Sequence, residues 1–330
     1  MKKILVLLFI LSVNMNNTCI TPKIIGLMQV RNESPIIEVA LRAMAVYTDS
    51  IVVLDDDSAD NTVAIIKSLS KELNIEKIIE KKECAWFYKT ELDSKQELLN
   101  AARSLGGTHF IHLDADEILT SNCAKDNWLR KKILALDRGQ VLVLRMIHPW
   151  KGVDYYRDDE HMTPNKLGIG AFMHDDGVCS MKDNKNTSSS GFIHIGRFPV
   201  TKNIVSINDV EHCIIHFKFV NFEDMRIKIA WYMCLERIRL IENLSLKHPN
   251  RTIENINKYY SYYQPFFEDE HIVLRPMRNT WLNYKFFNPD VFHKQHIWRK
   301  KEIRNWFKKH GISYFKKLNI WNLGINWKNF

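Results

Sequence analysis

Apolar residues in the first third of this chain fall into short unbroken runs, separated by stretches in which they recur at helical spacing. Ile24-Ile25-Gly26-Leu27-Met28-Gln29-Val30 is one such run, ended by polar Arg31-Asn32-Glu33-Ser34-Pro35. It reads as a buried strand followed by a loop. Apolar positions then return at 36, 37, 40, 41 and 44, one face of a helix, with Pro35 suited to its first turn. Ile51-Val52-Val53-Leu54 predicts a second strand, broken by Asp55-Asp56-Asp57-Ser58-Ala59-Asp60-Asn61-Thr62. Val63 to Leu73 is helical again, and Ile75 to Ile79 predicts a third strand. A helix from about Leu92 to Leu105 leads through Gly106-Gly107 into a strand over His109 to Leu113, and Asp114-Ala115-Asp116-Glu117 follows at once.

This alternation predicts an α/β fold with a mostly parallel central sheet flanked by helices, where ligands bind at the carboxyl ends of strands. Both acidic clusters stand at such ends. Further on, Val141 to Ile147 predicts another strand and Phe222 to Leu246 a long amphipathic helix. Residues 150 to 213, rich in Gly, Asp, Asn and Ser, read as loops.

Charge changes the picture only at the two ends. The net charge is +9, and residues 281–330 carry all of that excess, with eleven Lys or Arg against Asp290 and Glu302. Basic and aromatic residues mix there, as in Trp298, Arg299, Lys300, Lys301, Trp306, Lys308 and Lys309. That mixture suits contact with an anionic membrane surface, or else aromatics packed on the domain with solvated lysines. No nucleic-acid-binding motif accompanies it, so nucleic acid is not an expected partner. At the other end Lys2 and Lys3 precede the apolar run Ile4 to Val13, resembling a signal peptide. The run is shorter than the roughly 20 residues of a spanning helix. Residues 1–20 are therefore expected to be a signal-like or membrane-associating segment. The six cysteines lie far apart with no metal-type spacing and are expected as buried thiols.

Two carboxylates one residue apart at a strand exit repel each other unless a cation or ion pairs offset them. Asp114 and Asp116 offer the hard oxygens that suit Mg²⁺ or Mn²⁺, ions that complete their shell with substrate phosphates and water. The alternative is that they cap a helix beginning near Leu119. Carboxylates at Asp55 and Asp56 can accept hydrogen bonds from a nucleotide's ribose or base. The alternative there is capping by Ser58 or Asp60.

Three segments together carry a resemblance. Asp55-Asp56-Asp57-Ser58-Ala59-Asp60-Asn61-Thr62 resembles the D-D-G-S-x-D-x-T segment of inverting family 2 glycosyltransferases, with Asp57 in place of Gly. Val30-Arg31-Asn32-Glu33 is similar to that family's first donor-binding loop, and Phe110 to Glu117 to its metal-binding strand end. The resemblance implies a GT-A-type fold over residues 21–246, its donor half 21–120 and acceptor half 121–246, and leaves 247–330 as a basic aromatic extension. It implies a nucleotide-sugar donor, expected to be UDP-linked, held by Arg31, Asn32, Glu33, Asp55, Asp56, Lys95 and Asp114. A Mn²⁺ or Mg²⁺ ion would sit on Asp114 and Asp116, with His216 completing its shell unless that histidine is a core residue. The alternative for Lys95 is a solvated helix lysine.

An inverting transfer needs a base for the acceptor hydroxyl. Asp175-Asp176, following Ala171-Phe172-Met173-His174, resembles the acidic segment some relatives carry after the metal strand, which implies Asp176, with Asp175 beside it, as the base. The alternative is solvated loop acids, and Asp209 and Glu211 lie further on. The acceptor is a glycan, a lipid-linked sugar or a protein, and the location membrane-associated or secretory, the cytoplasmic face included. Two other readings stay open: a nucleotidyltransferase acting on a sugar phosphate, and a non-catalytic carbohydrate-binding protein of the same fold.

Overall fold

The computed structural model describes residues 21–82, 87–162, 169–181, 196–199, 202–241, 252–263, 271–294 and 297–329. The signal-like segment 1–20 lies outside them. A seven-stranded sheet forms the centre, in the order Ile204–Ile207, Val141–Leu144, Ile169–His174, His109–His112, Ile24–Val30, Ser50–Asp55, Ile75–Glu80. Strands β1 (Ile24–Val30), β2 (Ser50–Asp55), β3 (Ile75–Glu80) and β4 (His109–His112) run parallel. Helices α1 (Ile37–Ala45), α2 (Thr62–Leu69) and α3 (Phe87–Ser104) connect them.

Alternation along the strands explains why both faces are covered. Ile24, Met28, Ile51 and Val53 join the core beneath α1, whereas Ile25, Leu27, Val52 and Leu54 meet Leu98, Leu99 and Ala102 of α3. Gly26 lets α1 lie close, because a Cβ there would sit 2.6 Å from Met44 Cγ.

Past β4 the expectations need correction. The run Val141 to Ile147 divides into β6 (Val141–Leu144) and β7 (Met146–Ile147) after a short strand β5 (Glu117–Leu119) and helix α4 (Trp128–Leu134). The supposed loop region holds β8 (Tyr155–Arg157), β9 (Ile169–His174) and β10 (Ile204–Ile207). Strand β9 sits inside the central sheet, antiparallel to both β4 and β6. Its apolar core of Ala171, Phe172 and Met173 is too short to stand out against polar neighbours. Strand β11 (Ile214–His216) pairs antiparallel with β5 and parallel with β7, which places His216 opposite Glu117. Strand β12 (Leu274–Pro276) pairs with β8.

The C-terminal region packs as helices. Helix α5 (Phe222–Ile241) lies against α6 (Ile253–Tyr260) and α7 (Ile297–His310) in a second core. Trp231 meets the Trp298 ring at 5.3 Å between centroids, and its Nε1 donates to Glu302 Oε2 at 2.6 Å. Phe307, Trp321 and Trp327 cluster beyond it. The tail's aromatics thus pack on the protein. Among the described residues, no helix is long and apolar enough to cross a membrane.

Asp57 stands where the resembling family carries Gly, and its φ is +60°. That left-handed region favours glycine, with Asn and Asp the best-tolerated substitutes. Asp57→Gly is therefore expected to change unfolding stability little and in the favourable direction, by no more than ~1 kcal/mol. Urea denaturation checks this, and a clear loss would mean that the Asp57 side chain contributes to the fold.

Candidate active site

Two loops meet at the ends of β1 and β2, and the polar residues between them explain why. Asn32 N–H donates to Ser58 Oγ at 2.8 Å, Glu33 N–H to Thr62 Oγ1 at 2.8 Å, and Ser34 N–H to Asp60 Oδ2 at 3.2 Å. In return Ala59 N–H donates to Asn32 Oδ1 at 2.7 Å, and Ser58 N–H to Asp55 Oδ2 at 2.9 Å. Ser58 and Asp60 thus hold the first loop; neither is the N-cap of α2, which is Asn61 with no side-chain cap bond. The stitching fixes the backbone from which Arg31, Glu33 and Asp56 reach the pocket.

Asp114 and Asp116 follow β4 and lead into β5, so no helix begins where capping would need one. Their repulsion is offset by protein cations. Arg197 donates to Glu117 Oε1 at 2.6 Å and to Asp114 Oδ2 at 3.5 Å, and also to the His112 carbonyl at 2.7 Å. Lys228 on α5 donates to Asp116 Oδ2 at 3.1 Å, and His216 Nε2 lies 3.3 Å from the same oxygen. Desolvation in the cleft would raise both aspartates. Lys228 and His216 outweigh it at Asp116, holding that carboxyl well below the usual range, and Arg197 does most to lower Asp114. Both are charged at neutral pH. Asp114 still faces the opening, its side chain 54% exposed.

These groups line one pocket of about 330 Å³. Of the expected residues it gathers Arg31, Glu33, Asp56, Lys95, Asp114, Asp116 and His216. Lys95 is buried, not a solvated helix lysine. Sequence reasoning did not place Arg197, Lys218, Lys228, Tyr232, Tyr263 or Arg299 at this site, Arg299 having been read as part of the basic tail; they complete the walls. A signal existed for three of them: Lys218 stands two residues after His216, and Lys228 and Tyr232 share helical spacing with Trp231. Burial, then the nearby Lys228, pushes the Lys218 ammonium down to about 7.

Other expected residues lie elsewhere. Asn32 and Asp55 are buried supports of the two loops and do not line the pocket. Asp175 and Asp176 are at the wrong end of the sheet. His174 of antiparallel β9 pairs with His109, the first residue of β4, whereas Asp114 follows the last. Asp175 accepts two bonds from Arg103, both 2.7 Å, and Asp176 Oδ1 accepts the Val178 and Cys179 N–H groups. Asp209 caps a turn and Glu211 pairs with Arg278, also away from the pocket. The base role expected of Asp176 or Asp175 therefore has no geometric support. Asp176→Asn keeps an acceptor oxygen for that turn and is expected to leave transfer within about twofold of the parent; a loss of orders of magnitude would reinstate it.

No curated protein matches the chain. Solved structures to which it is similar include S. aureus TarS, at 14% identity over 74% of this chain and 44% of that one, TM-score 0.40. The chain thus spans less than half of that relative's length. TarS 1–349 in complex with UDP-GlcNAc is 14% identical over 74% of this chain and 73% of that one, TM-score 0.39. The mannosyltransferase PcManGT from Pyrobaculum calidifontis, in complex with GDP-Man and Mn²⁺, is 15% identical over 73% and 70%, TM-score 0.38. Residues 27–183 match the glycosyl transferase family 2 model. They run from within β1 through β4 and include both acidic strand ends and Lys95, so the similarity to glycosyl transferase family 2 covers the strand ends that line the pocket.

Proposed function

We propose that the chain is a metal-dependent, inverting glycosyltransferase that moves a sugar from a nucleotide diphosphate to an acceptor hydroxyl. One observation carries the reading: Asp56, Lys95, Asp114 and Asp116, from separate family 2 segments, line a single pocket at the carboxyl ends of the parallel strands. In this reading Asp56 accepts hydrogen bonds from the nucleoside. Lys95 and Arg197 face the negative charge of the diphosphate.

Among the described residues, no three acidic, histidine or cysteine side chains converge as an ion cage. The donor set nonetheless suits Mn²⁺ or Mg²⁺, which use few protein carboxylates beside substrate phosphates and water. Asp114 and Asp116 would hold the ion, with His216 next to Asp116. When bound, it would neutralise the charge that develops on the departing diphosphate.

Purified protein with Mn²⁺ and a panel of nucleotide sugars, UDP-GlcNAc and GDP-mannose among them, tests the proposal by release of nucleoside diphosphate. Pyrophosphate turnover would point instead to nucleotidyl transfer, and an intact donor to a carbohydrate-binding protein. A membrane-associated or secretory location, suggested by residues 1–20, belongs to the same proposal and is tested by cell fractionation.

A further inference from the structure

We propose that the acceptor is an anionic sugar, bearing a phosphate or a carboxylate, and that Lys218 receives its negative group. The inference rests on the glycosyl-transfer reading and names the substrate class of the same pocket.

The pocket's arginines and Lys228 have carboxylate partners. Arg31 meets Glu302 at 2.7 Å, Arg197 meets Glu117 at 2.6 Å, Lys228 meets Asp116 at 3.1 Å, and Arg299 meets Asp224 at 3.2 Å. Lys218 differs. Among the described residues no carboxylate lies within 4.0 Å of its ammonium. Its hydrogen bond goes to the neutral Tyr263 hydroxyl at 3.1 Å, and it stands 4.4 Å from the Tyr263 ring centroid and 5.4 Å from that of Phe219. Asp116 and Glu117 act on it only from beyond 4.0 Å, and a lysine partly withdrawn from bulk water without a direct carboxylate partner is costly. A ligand that brings an anion removes the cost.

Position assigns that anion to the acceptor. The donor's charge is its diphosphate, which the reading above places at Asp114 and Asp116 with Lys95. Lys218, Tyr232 and Tyr263 come from beyond residues 27–183, the segment that carries the family 2 motifs. Arg197 attends the Asp114 side of the acid pair and Lys228 the Asp116 side, and Lys218 lies with Lys228. The wall around Lys218 is aromatic, and such rings suit the apolar face of a pyranose while hydroxyls and cations fix its orientation.

The test uses the full chain and calorimetric titration with glucose, glucose 6-phosphate and glucuronic acid in the presence of UDP and Mn²⁺, with UDP affinity measured separately. At least one anionic sugar is expected to bind about tenfold or more tightly than glucose, and which one does separates phosphate from carboxylate. Lys218→Gln should abolish the difference, Lys218→Arg should restore most of it, and neither should change UDP affinity. Equal binding of all three sugars overturns the proposal, as does discrimination that survives Lys218→Gln. So does a matching loss of UDP affinity in that variant, which would give Lys218 to the donor. Discrimination without turnover of any nucleotide sugar defeats the transferase reading alone, whereas turnover without discrimination defeats only this inference.

Discussion

Alanine at Asp114 or Asp116 is expected to lower sugar transfer by roughly 10²- to 10³-fold, the scale seen when a preorganised electrostatic contact to developing charge is lost. The two positions test it differently. Asp114 faces the opening, and among the described residues its carboxylate's ion pair is the long one to Arg197 at 3.5 Å, so its removal should leave folding largely intact. Asp116 is bonded to Lys228 and His216, so alanine there strands a lysine and also costs stability. Asp116→Asn, which keeps the volume and one acceptor, separates the two effects. The readout is nucleoside diphosphate released with Mn²⁺, beside a thermal melt. Chelation of the metal should mimic Asp114→Ala, and readdition of Mn²⁺ should rescue only the parent protein. Full activity in Asp114→Ala would remove the basis of the proposed mechanism.

The second large effect concerns stability. Trp281→Ala should destabilise the protein by about 3–5 kcal/mol, much of the 5–15 kcal/mol typical of a domain. Trp281 is fully buried, its ring tilted against that of Tyr156 at 5.6 Å between centroids, within the core that also contains β1, β2 and β5 residues. Ser121 N–H donates to the Trp281 carbonyl at 2.8 Å, and the Tyr284 hydroxyl to that of Leu119 at 2.8 Å. The segment therefore braces β5, the strand that carries Glu117 and through it Arg197. Urea unfolding measures the loss, and transfer should fall with it. A change below about 1 kcal/mol would mean that this part of the chain merely rests on the domain.

The parallel half of the fold was legible because its signals are local. Ile24 to Val30 and Ile51 to Leu54 are apolar on both faces, as strands covered on both sides must be, and a strand's direction dictates where its following loop emerges. That placed Asp56 and Asp114 at one edge of the sheet before any coordinates. Asp176 had no such guide, since residues 150 to 213 read as loops and only a resemblance singled it out; the strand before it, β9, runs antiparallel to β4 and carries it to the other end of the sheet. A short apolar run carries no mark of its direction.

What the chain determines by itself is therefore the set of local elements, the acidic strand ends and the polar pairs that stitch neighbouring loops together. Tertiary structure decided the rest of the pocket. Arg197 reaches Asp114 from 83 residues away and Lys228 reaches Asp116 from 112. It also turned the basic tail into packing for α5, leaving Lys218 beside Tyr263 without a carboxylate partner among the described residues. Periodicity reports that a segment is buried, because burial follows from its own residues; which charge it meets depends on segments brought together only by folding.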